Sequence, residues 1–330
     1  MGKLRTCIVG IGNISRVHID SLLNNENTEI VGVCDIINER ADTAAEKTGA
    51  KAFYDFDEMI DWGEFDVLHI CTPHYLHAPM AIKAMNAGKH VLCEKPPAMS
   101  YPDAVKAVEA AEKNSVYFGV CYQNRYNPSS VKIKEILDSK KLGAVTGIKG
   151  SVAWNRDMTY YSRDNWHGTL KYEGGGVLIN QAIHTLDLIA WLCPGNPVKT
   201  VGSVSQKRLK GLVETEDTSD ALITFDSGIT ALFYASLCYS SDSPVEIQID
   251  CEKGRILFNG DVFVFRDSEP TEVIPFRIKK GEKAYWGDGH TLLINDFYNS
   301  IINNVPFKVN GKECLTALKI ISDIYSQNRN

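Results

Sequence analysis

Short apolar runs alternate with helical segments over the first third of the chain. The runs are Thr6–Ile11, Ile30–Cys34, Val67–Cys71, His90–Cys93 and Val116–Cys121, each four to six residues long and rich in Val, Ile, Leu and Cys. They are apolar on both faces, and strands of that kind are buried on both sides, as in a parallel sheet. The segments Val17–Asn24, Asn38–Thr48, Ala78–Ala87 and Asp103–Asn114 carry helical period instead. Ser15 and Ser100 are candidate N-caps, Pro102 suits a first helical turn, and Gly49 and Gly88 stand where a helix end takes a left-handed residue. A strand–helix–strand repeat requires right-handed crossovers, so this region is expected to form an open, doubly wound parallel sheet.

After Tyr122 the pattern changes. A helix is expected over Ser129–Ser139, and longer period-two runs follow. Val245, Ile247, Ile249 and Cys251 alternate with Glu246, Gln248 and Asp250, which reads as a half-exposed antiparallel strand. Leu222–Asp226, Ile229–Leu237 and Val262–Phe265 are further strands, and helices are expected over Gly176–Leu192, Thr291–Asn303 and Lys312–Gln327. The expected α/β organisation is a doubly wound N-terminal domain, 1–122, followed by an α+β domain, 123–330, on a mainly antiparallel sheet. A length of 330 residues suits two domains.

Charge and composition remove whole classes of function. Lys and Arg total 35 against 41 acidic residues, a net charge of −6, and no basic run exceeds Lys140-Lys141 or Lys279-Lys280. A nucleic-acid partner is therefore not expected. A membrane partner is not expected either, because no apolar stretch approaches the roughly 20 residues of a spanning helix. The nine cysteines include no CxxC pair, and Cys7, Cys34, Cys71, Cys93 and Cys121 fall inside apolar runs. That is the usage of a reducing compartment, so a cytoplasmic location is expected.

The first apolar run leads straight into Gly10-Ile11-Gly12-Asn13-Ile14-Ser15. This is GxGxxG with Ser at the third glycine. The first glycine makes the turn, the second lets a pyrophosphate approach the backbone, and the third allows helix–strand contact. The following helix points free N–H groups and its positive end at the phosphates. Asp35 closes the second strand 25 residues beyond Gly10. A carboxylate there accepts ribose hydroxyls and repels a 2′-phosphate, so NAD is expected in preference to NADP. Arg40, one helical turn on, is the nearby cation able to reach that ribose.

Ligands in such sheets sit beyond the carboxyl ends of the strands. One end carries Cys71-Thr72-Pro73-His74-Tyr75-Leu76-His77, and the next carries Cys93-Glu94-Lys95-Pro96-Pro97. With GxGxxS and Glu94-Lys95-Pro96, the chain resembles the Gfo/Idh/MocA oxidoreductases, named for glucose–fructose oxidoreductase and inositol 2-dehydrogenase. The resemblance continues in Gly174-Gly175-Gly176-Val177-Leu178-Ile179-Asn180-Gln181-Ala182-Ile183-His184-Thr185-Leu186-Asp187. This follows the family's GGG-x3-D-x3-H-x2-D segment, except that Asn180 replaces the common Asp.

The resemblance implies a Rossmann domain, a nicotinamide cofactor, and catalysis by Lys95 and His184 with Asn180 assisting. It implies cofactor contacts from Gly10, Gly12, Asn13, Ile14, Asp35, Arg40, Thr72, Pro73, His74, His77, Glu94, Lys95 and Gln123. On a helix, Asn180, His184 and Asp187 at i, i+4 and i+7 share one face, and the preceding glycines would permit close approach of a ligand. Asn180 keeps the hydrogen bond of the family Asp without its charge, so His184 is expected to stay neutral to lower pH. A hydrogen-bonded core histidine is the competing reading of His184, and no metal is expected. Substrate contacts are expected from Lys95, Arg125, Trp154, Arg156, Tyr160, Trp166, Asn180 and His184, since aromatic planes beside polar groups suit a sugar ring.

The expected function is hydride transfer between NAD(P) and a secondary hydroxyl or ketone of a sugar, sugar derivative or cyclic polyol. NAD-dependent glycoside cleavage through transient oxidation is an alternative, and a non-catalytic NAD sensor is another. A homodimer or homotetramer is expected.

Overall fold

The computed structural model describes residues 2–266, 270–275 and 289–328. Its elements, in chain order, are β1 (Leu4–Val9), α1 (Ser15–Leu23), β2 (Thr28–Cys34), α2 (Asn38–Thr48), β3 (Lys51–Phe53), α3 (Phe56–Trp62), β4 (Val67–Ile70), α4 (His74–Asn86), β5 (His90–Cys93), α5 (Tyr101–Asn114), β6 (Phe118–Val120), α6 (Pro128–Asp138), β7 (Val145–Ala153), α7 (Met158–Tyr161), α8 (Leu170–Glu173), α9 (Ile183–Leu192), β8 (Pro197–Ser205), β9 (Thr218–Phe225), β10 (Thr230–Ser236), β11 (Glu246–Cys251), β12 (Gly254–Phe258), β13 (Val262–Phe265), β14 (Pro270–Ile274), α10 (Gly289–Asn303) and α11 (Gly311–Asn328). The chain divides into two compact units, Met1–Gln123 with Asp288–Leu315, and Asn124–Gly287 with Thr316–Asn330.

The first unit is a six-stranded sheet in the order β3-β2-β1-β4-β5-β6, with every pairing parallel. Chain order reverses between β1 and β4, so a crevice opens at their carboxyl ends, where the phosphate loop lies. All four residues of β4 are buried, as the two-faced apolar pattern requires. The edge strand β3 escapes the sequence reading because three residues, one of them the exposed Lys51, carry no period. Ser100 caps α5 by accepting from the Asp103 N–H at 3.3 Å, a contact worth about 1 kcal/mol. Gly49 (φ +73°) and Gly88 (φ +75°) take the left-handed conformation expected of them.

Helix α10 belongs to this first unit, whereas the sequence reading places 123–330 in one domain. The physical reason is its apolar face: Leu293, Ile294, Phe297 and Tyr298 are fully buried. Ser21 and Thr291 hydroxyls meet at 2.9 Å, and the Asn25 amide donates to Asn295 at 2.8 Å, fastening α10 to α1. A helical period shows that a helix buries a face, not which sheet buries it.

The second unit is an eight-stranded sheet in the order β14-β13-β12-β11-β7-β10-β9-β8. Among the described strands only β7 and β10 pair in parallel, so the sheet is mixed and mostly antiparallel. Helix α9 packs on β7, where a Cβ on Gly150 would come 2.9 Å from Ile189. The β10 residues Leu232 and Tyr234 are exposed while Ala231 and Phe233 are buried, the alternation of a sheet covered on one face. The helix expected over Gly176–Leu192 begins only at Ile183; residues 176–182 are wide turns, with Ala182 N–H donating to Val177 O at 2.8 Å. Asn180 therefore lies ahead of the regular helix that carries His184 and Asp187.

Candidate active site

In the first unit the chain leaves β1 and turns through Gly10 at φ +85°. A Cβ there would stand 2.7 Å from the Cys71 carbonyl carbon and the Thr72 nitrogen, so both backbone sign and space require glycine. Gly12 differs: a Cβ added to it meets no heavy atom within 4 Å. The space beside its backbone is what a pyrophosphate on this loop needs. Ile14 is the N-cap of α1 and provides no side-chain hydrogen bond, which leaves first-turn N–H groups to face phosphate oxygens. Ser15 is not the N-cap suggested by the sequence. It is fully buried in the first turn and donates to Gly12 O at 2.7 Å, fastening the loop where a third glycine would stand.

Asp35 accepts from Ile11 N–H through Oδ2 (2.7 Å) and from Ile37 N–H through Oδ1 (2.8 Å). Each carboxylate oxygen keeps a further lone pair for a ribose hydroxyl. Ile36 beside it is 87% exposed, an apolar platform suited to a base ring, and Arg40 and Asn13 are exposed. At the β6 end, Gln123 is buried and its side-chain oxygen has no hydrogen-bond partner among the described residues, which suits a carboxamide donor. Lys95 follows β5 and is half-buried, and Thr72 and Pro73 follow β4 with Pro73 as the N-cap of α4.

Three expected cofactor residues face inward instead. His74 and His77 are 3% and 1% exposed. His77 Nδ1 lies 2.7 Å from Pro96 O and Nε2 lies 2.7 Å from Thr72 O, so its ring ties together the loops after β4 and β5. Burial lowers its pKa, and the neutral ring donates to one of these carbonyls at a time. Glu94 turns into the core: one carboxylate oxygen meets His18 Nε2 and His290 Nε2, both at 3.1 Å, and the other accepts Lys95 N–H at 3.2 Å. His18 Nδ1 reaches His69 Nδ1 (2.7 Å), His69 Nε2 reaches the Tyr298 hydroxyl (2.9 Å), and that hydroxyl meets Thr6 Oγ1 (2.7 Å). The His18 and His290 bonds hold the Glu94 carboxyl well below the usual range against the opposing effect of burial. Burial opposes charge on His18, but Cys71 and Glu94 outweigh it and raise its pKa to about 9. Sequence reasoning missed this network because its members come from five separate elements. The ligand atoms of His18, Glu94 and Cys121 lie within 4.8 Å of one another, a spacing open to a metal ion. In this structure His18 Nε2 meets Glu94 and Nδ1 meets His69.

In the second unit, Arg125 does not point to a substrate role. It grips Asp187 through two bonds, Nε to Oδ2 at 2.9 Å and Nη2 to Oδ1 at 2.6 Å, and both side chains are buried. Two parallel donors match a carboxylate, so this arginine and the last residue of the second motif brace each other. Arg156 is likewise engaged, donating to Asp242 at 3.0 Å and to Asn155 O at 2.5 Å. Trp154 is 8% exposed and donates to Ser243 O at 3.0 Å. Trp166 stacks on His167 with 3.7 Å between ring centroids. The Tyr160 hydroxyl accepts from Asn180 Nδ2 (3.2 Å) and Gln181 Nε2 (3.1 Å). Burial, then the Glu173 charge, push that phenol far above its ordinary pKa. His184 is half-buried near the start of α9.

The glycines of the second motif serve the fold. Gly174 takes φ +82° to end α8, and a Cβ on Gly176 would fall 1.9 Å from Glu216 O. Glu216 Oε1 accepts from Gly176 N–H (2.9 Å), Leu178 N–H (3.2 Å) and the Tyr325 hydroxyl (2.7 Å). Ligand approach is thus not what glycine at 176 provides.

An open loop at Gly12, a braced carboxylate ending β2 and a buried amide oxygen at Gln123 fit a nicotinamide dinucleotide, the cofactor of one class of oxidoreductases. Residues 4–122 match the family model "Oxidoreductase family, NAD-binding Rossmann fold", and residues 130–257 match "GFO/IDH/MocA C-terminal domain". The chain belongs to the Gfo/Idh/MocA oxidoreductase family, and its first domain is an NAD-binding Rossmann domain. Inositol 2-dehydrogenase of Salmonella typhimurium is 30% identical over 258 residues, 76% of this chain and 69% of that protein. Myo-inositol 2-dehydrogenase of Thermotoga maritima is 26% identical over 332 residues, 96% of this chain and 93% of that protein. The WlbA dehydrogenase of Bordetella pertussis, solved with NADH and UDP-GlcNAcA, superposes with a TM-score of 0.84 at 27% identity, covering 98% of this chain and 96% of that one. No helix among the described residues is long and apolar enough to cross a membrane.

Proposed function

We propose that this chain is an NAD-dependent dehydrogenase that oxidises a secondary hydroxyl of a sugar, sugar derivative or cyclic polyol. The observation that supports this most is the carboxyl edge of the first sheet, which carries the open Gly12 loop, Asp35, Lys95 and Gln123 together. When bound, NAD+ supplies the hydride acceptor. Lys95 donates a hydrogen bond to the reacting oxygen and stabilises negative charge as it develops there. His184 takes the hydroxyl proton, since an imidazole titrates near working pH, and Asn180 assists by holding the geometry. Sugar contact is assigned to Tyr160 and Trp166, which are half-buried, whereas Arg125 is paired with Asp187, and Arg156 and Trp154 bond to residues 242 and 243. Asp35 favours NAD over NADP.

The protein is further proposed to be a cytoplasmic homodimer or homotetramer. Val201, Leu222 and Leu232 are neighbours across β8, β9 and β10 and are 50%, 48% and 55% exposed. An apolar stripe of this kind on an open sheet face suits a second copy of the chain. Light scattering at micromolar concentration is expected to show a dimer or larger species.

The functional test is turnover on a panel of myo-inositol, levoglucosan, glucose 6-phosphate and UDP-N-acetylglucosaminuronic acid with NAD+ and NADP+. NADH is expected to accumulate stoichiometrically with a ketone product, which separates dehydrogenation from glycoside cleavage. Lys95→Ala and His184→Ala are each expected to lower kcat about a hundredfold or more while NADH binding persists. Binding without hydride transfer on every sugar would favour a sensor.

A further inference from the structure

Glu173, the residue before the glycine run, holds a buried carboxylate that is 1% exposed. Its Oε2 accepts the Gly168 N–H at 2.5 Å, and its Oε1 accepts the Asn180 side-chain amide. That same amide touches the Tyr160 hydroxyl, which also receives Gln181. Among the described residues, charged and titratable groups around this cluster include Tyr160 and Tyr161 of α7, Glu216, Asp217, Arg156, the Arg163 guanidinium 5.8 Å from the Tyr160 ring centroid, and the His167 ring against Tyr160. The family pattern has Asp at position 180. Here the negative charge stands one hydrogen bond away, and position 180 supplies the donor that meets it.

We propose that Glu173 is a positioning residue for the reaction, acting with Asn180 as a single unit that carries one negative charge and a fixed amide. The proposal rests on reading Asn180 and His184 as catalytic. The carboxylate can accept only, so it turns the Asn180 N–H toward itself and the amide oxygen away. An Asp at 180 would set two carboxylates in contact inside a buried site, and such a pair keeps one proton between them. Asn180→Asp is therefore not a harmless return to the family residue. Glu173→Gln compensates, because Gln accepts the Gly168 N–H through its oxygen and donates its amide to Asp at 180. The swap exchanges charge and amide while both hydrogen bonds survive.

The test uses the full chain as wild type, Glu173→Gln, Asn180→Asp and the double variant. Tm and kcat are read in acid (about pH 5) and alkaline (about pH 8.5) buffer, with the most rapidly oxidised sugar of the panel. Asn180→Asp is expected to melt earlier in alkaline buffer and recover in acid, and to lose about a hundredfold in kcat with NADH binding unchanged. The double variant is expected to regain most of both losses and to lose the pH dependence of Tm. Wild-type Tm and kcat for Asn180→Asp in both buffers would overturn the proposal, as would a double variant no better than the worse single one. Rescue of Tm without rescue of kcat would reduce Glu173 to a structural role and overturn its part in the reaction. Wild-type turnover in His184→Ala would instead remove the catalytic reading, and the Tm swap would still decide the pairing.

Discussion

Gly12 in the first unit and Gly176 in the second each stand in a glycine-rich turn that precedes a helix. A Cβ added to the first meets nothing within 4 Å, while one added to the second falls 1.9 Å from Glu216 O. Two loops of similar composition thus use glycine for opposite ends. The first keeps space for a ligand, and the second closes space against its own unit. The same contrast runs through the side chains around them. In the first unit, Gln123 offers an oxygen with no partner among the described residues. In the second, Asn180, Glu173, Gln181 and Tyr160 are joined to one another.

Alanine at each glycine is the strongest way to break that contrast. Gly176→Ala must displace backbone, and overpacking that cannot relax costs about 3 kcal/mol or more. The expected result is loss of soluble, cooperatively melting protein, or a Tm far below wild type. Gly12→Ala is expected to leave Tm within a few degrees, since nothing is displaced, while NADH affinity falls at least about tenfold because the methyl group occupies the pyrophosphate's place. Equal Tm losses for the two variants would erase the distinction.

Arg125 and Asp187 sharpen it at the next level of energy. A buried pair with two hydrogen bonds costs about 3–5 kcal/mol when one partner is removed, because the other charge is stranded. Arg125→Ala is expected to lower the unfolding free energy by that amount and Tm with it, and Arg125→Lys to recover little, since an ammonium lacks the planar fork. If Arg125 touched substrate instead, KM would rise while Tm stayed near wild type. Denaturant melts beside steady-state kinetics decide between these outcomes.

The contrast also explains what was readable in the chain. The β1–β2–β4–β5–β6 strands, the Gly10–Ser15 loop and Asp35 are backbone features, and period, glycine position and strand ends specify them locally. Lys95 is legible for the same reason: it sits where a strand stops. The partners of Arg125, Arg156 and Glu94 are not, because each is chosen by packing between segments far apart in sequence. Arg125 meets a residue 62 positions away and Glu94 one 196 positions away. Glu173 lies only seven residues from Asn180, yet the turn at Gly174 that joins them gives no periodic signal. Helix α10 shows the limit at the scale of whole elements, for its period was visible and its host sheet was not.

The smallest expected effect, reckoned per pH unit, is a pH dependence within the first unit. Folded His18, with a pKa near 9, holds its proton more tightly than an unfolded histidine at about 6.5. Its stabilisation is therefore complete below about pH 6.5 and is lost as pH rises through about 9. Glu94 runs the other way: its depressed pKa stabilises the fold above about pH 4.3, and that contribution is lost as pH falls toward the depressed value. The facing groups, His69, Cys71, His290 and Cys121, are themselves buried, so the pair has little solvent to screen it. One proton gives a slope of at most about 1.4 kcal/mol per pH unit on the alkaline side. His18→Gln keeps a donor toward Glu94 but cannot change charge, so it is expected to flatten the alkaline decline of stability and leave the acid limb in place. Urea melts at closely spaced pH values would show this, and an alkaline limb unchanged in His18→Gln would mean that the proton stabilising the first unit lies elsewhere in the network.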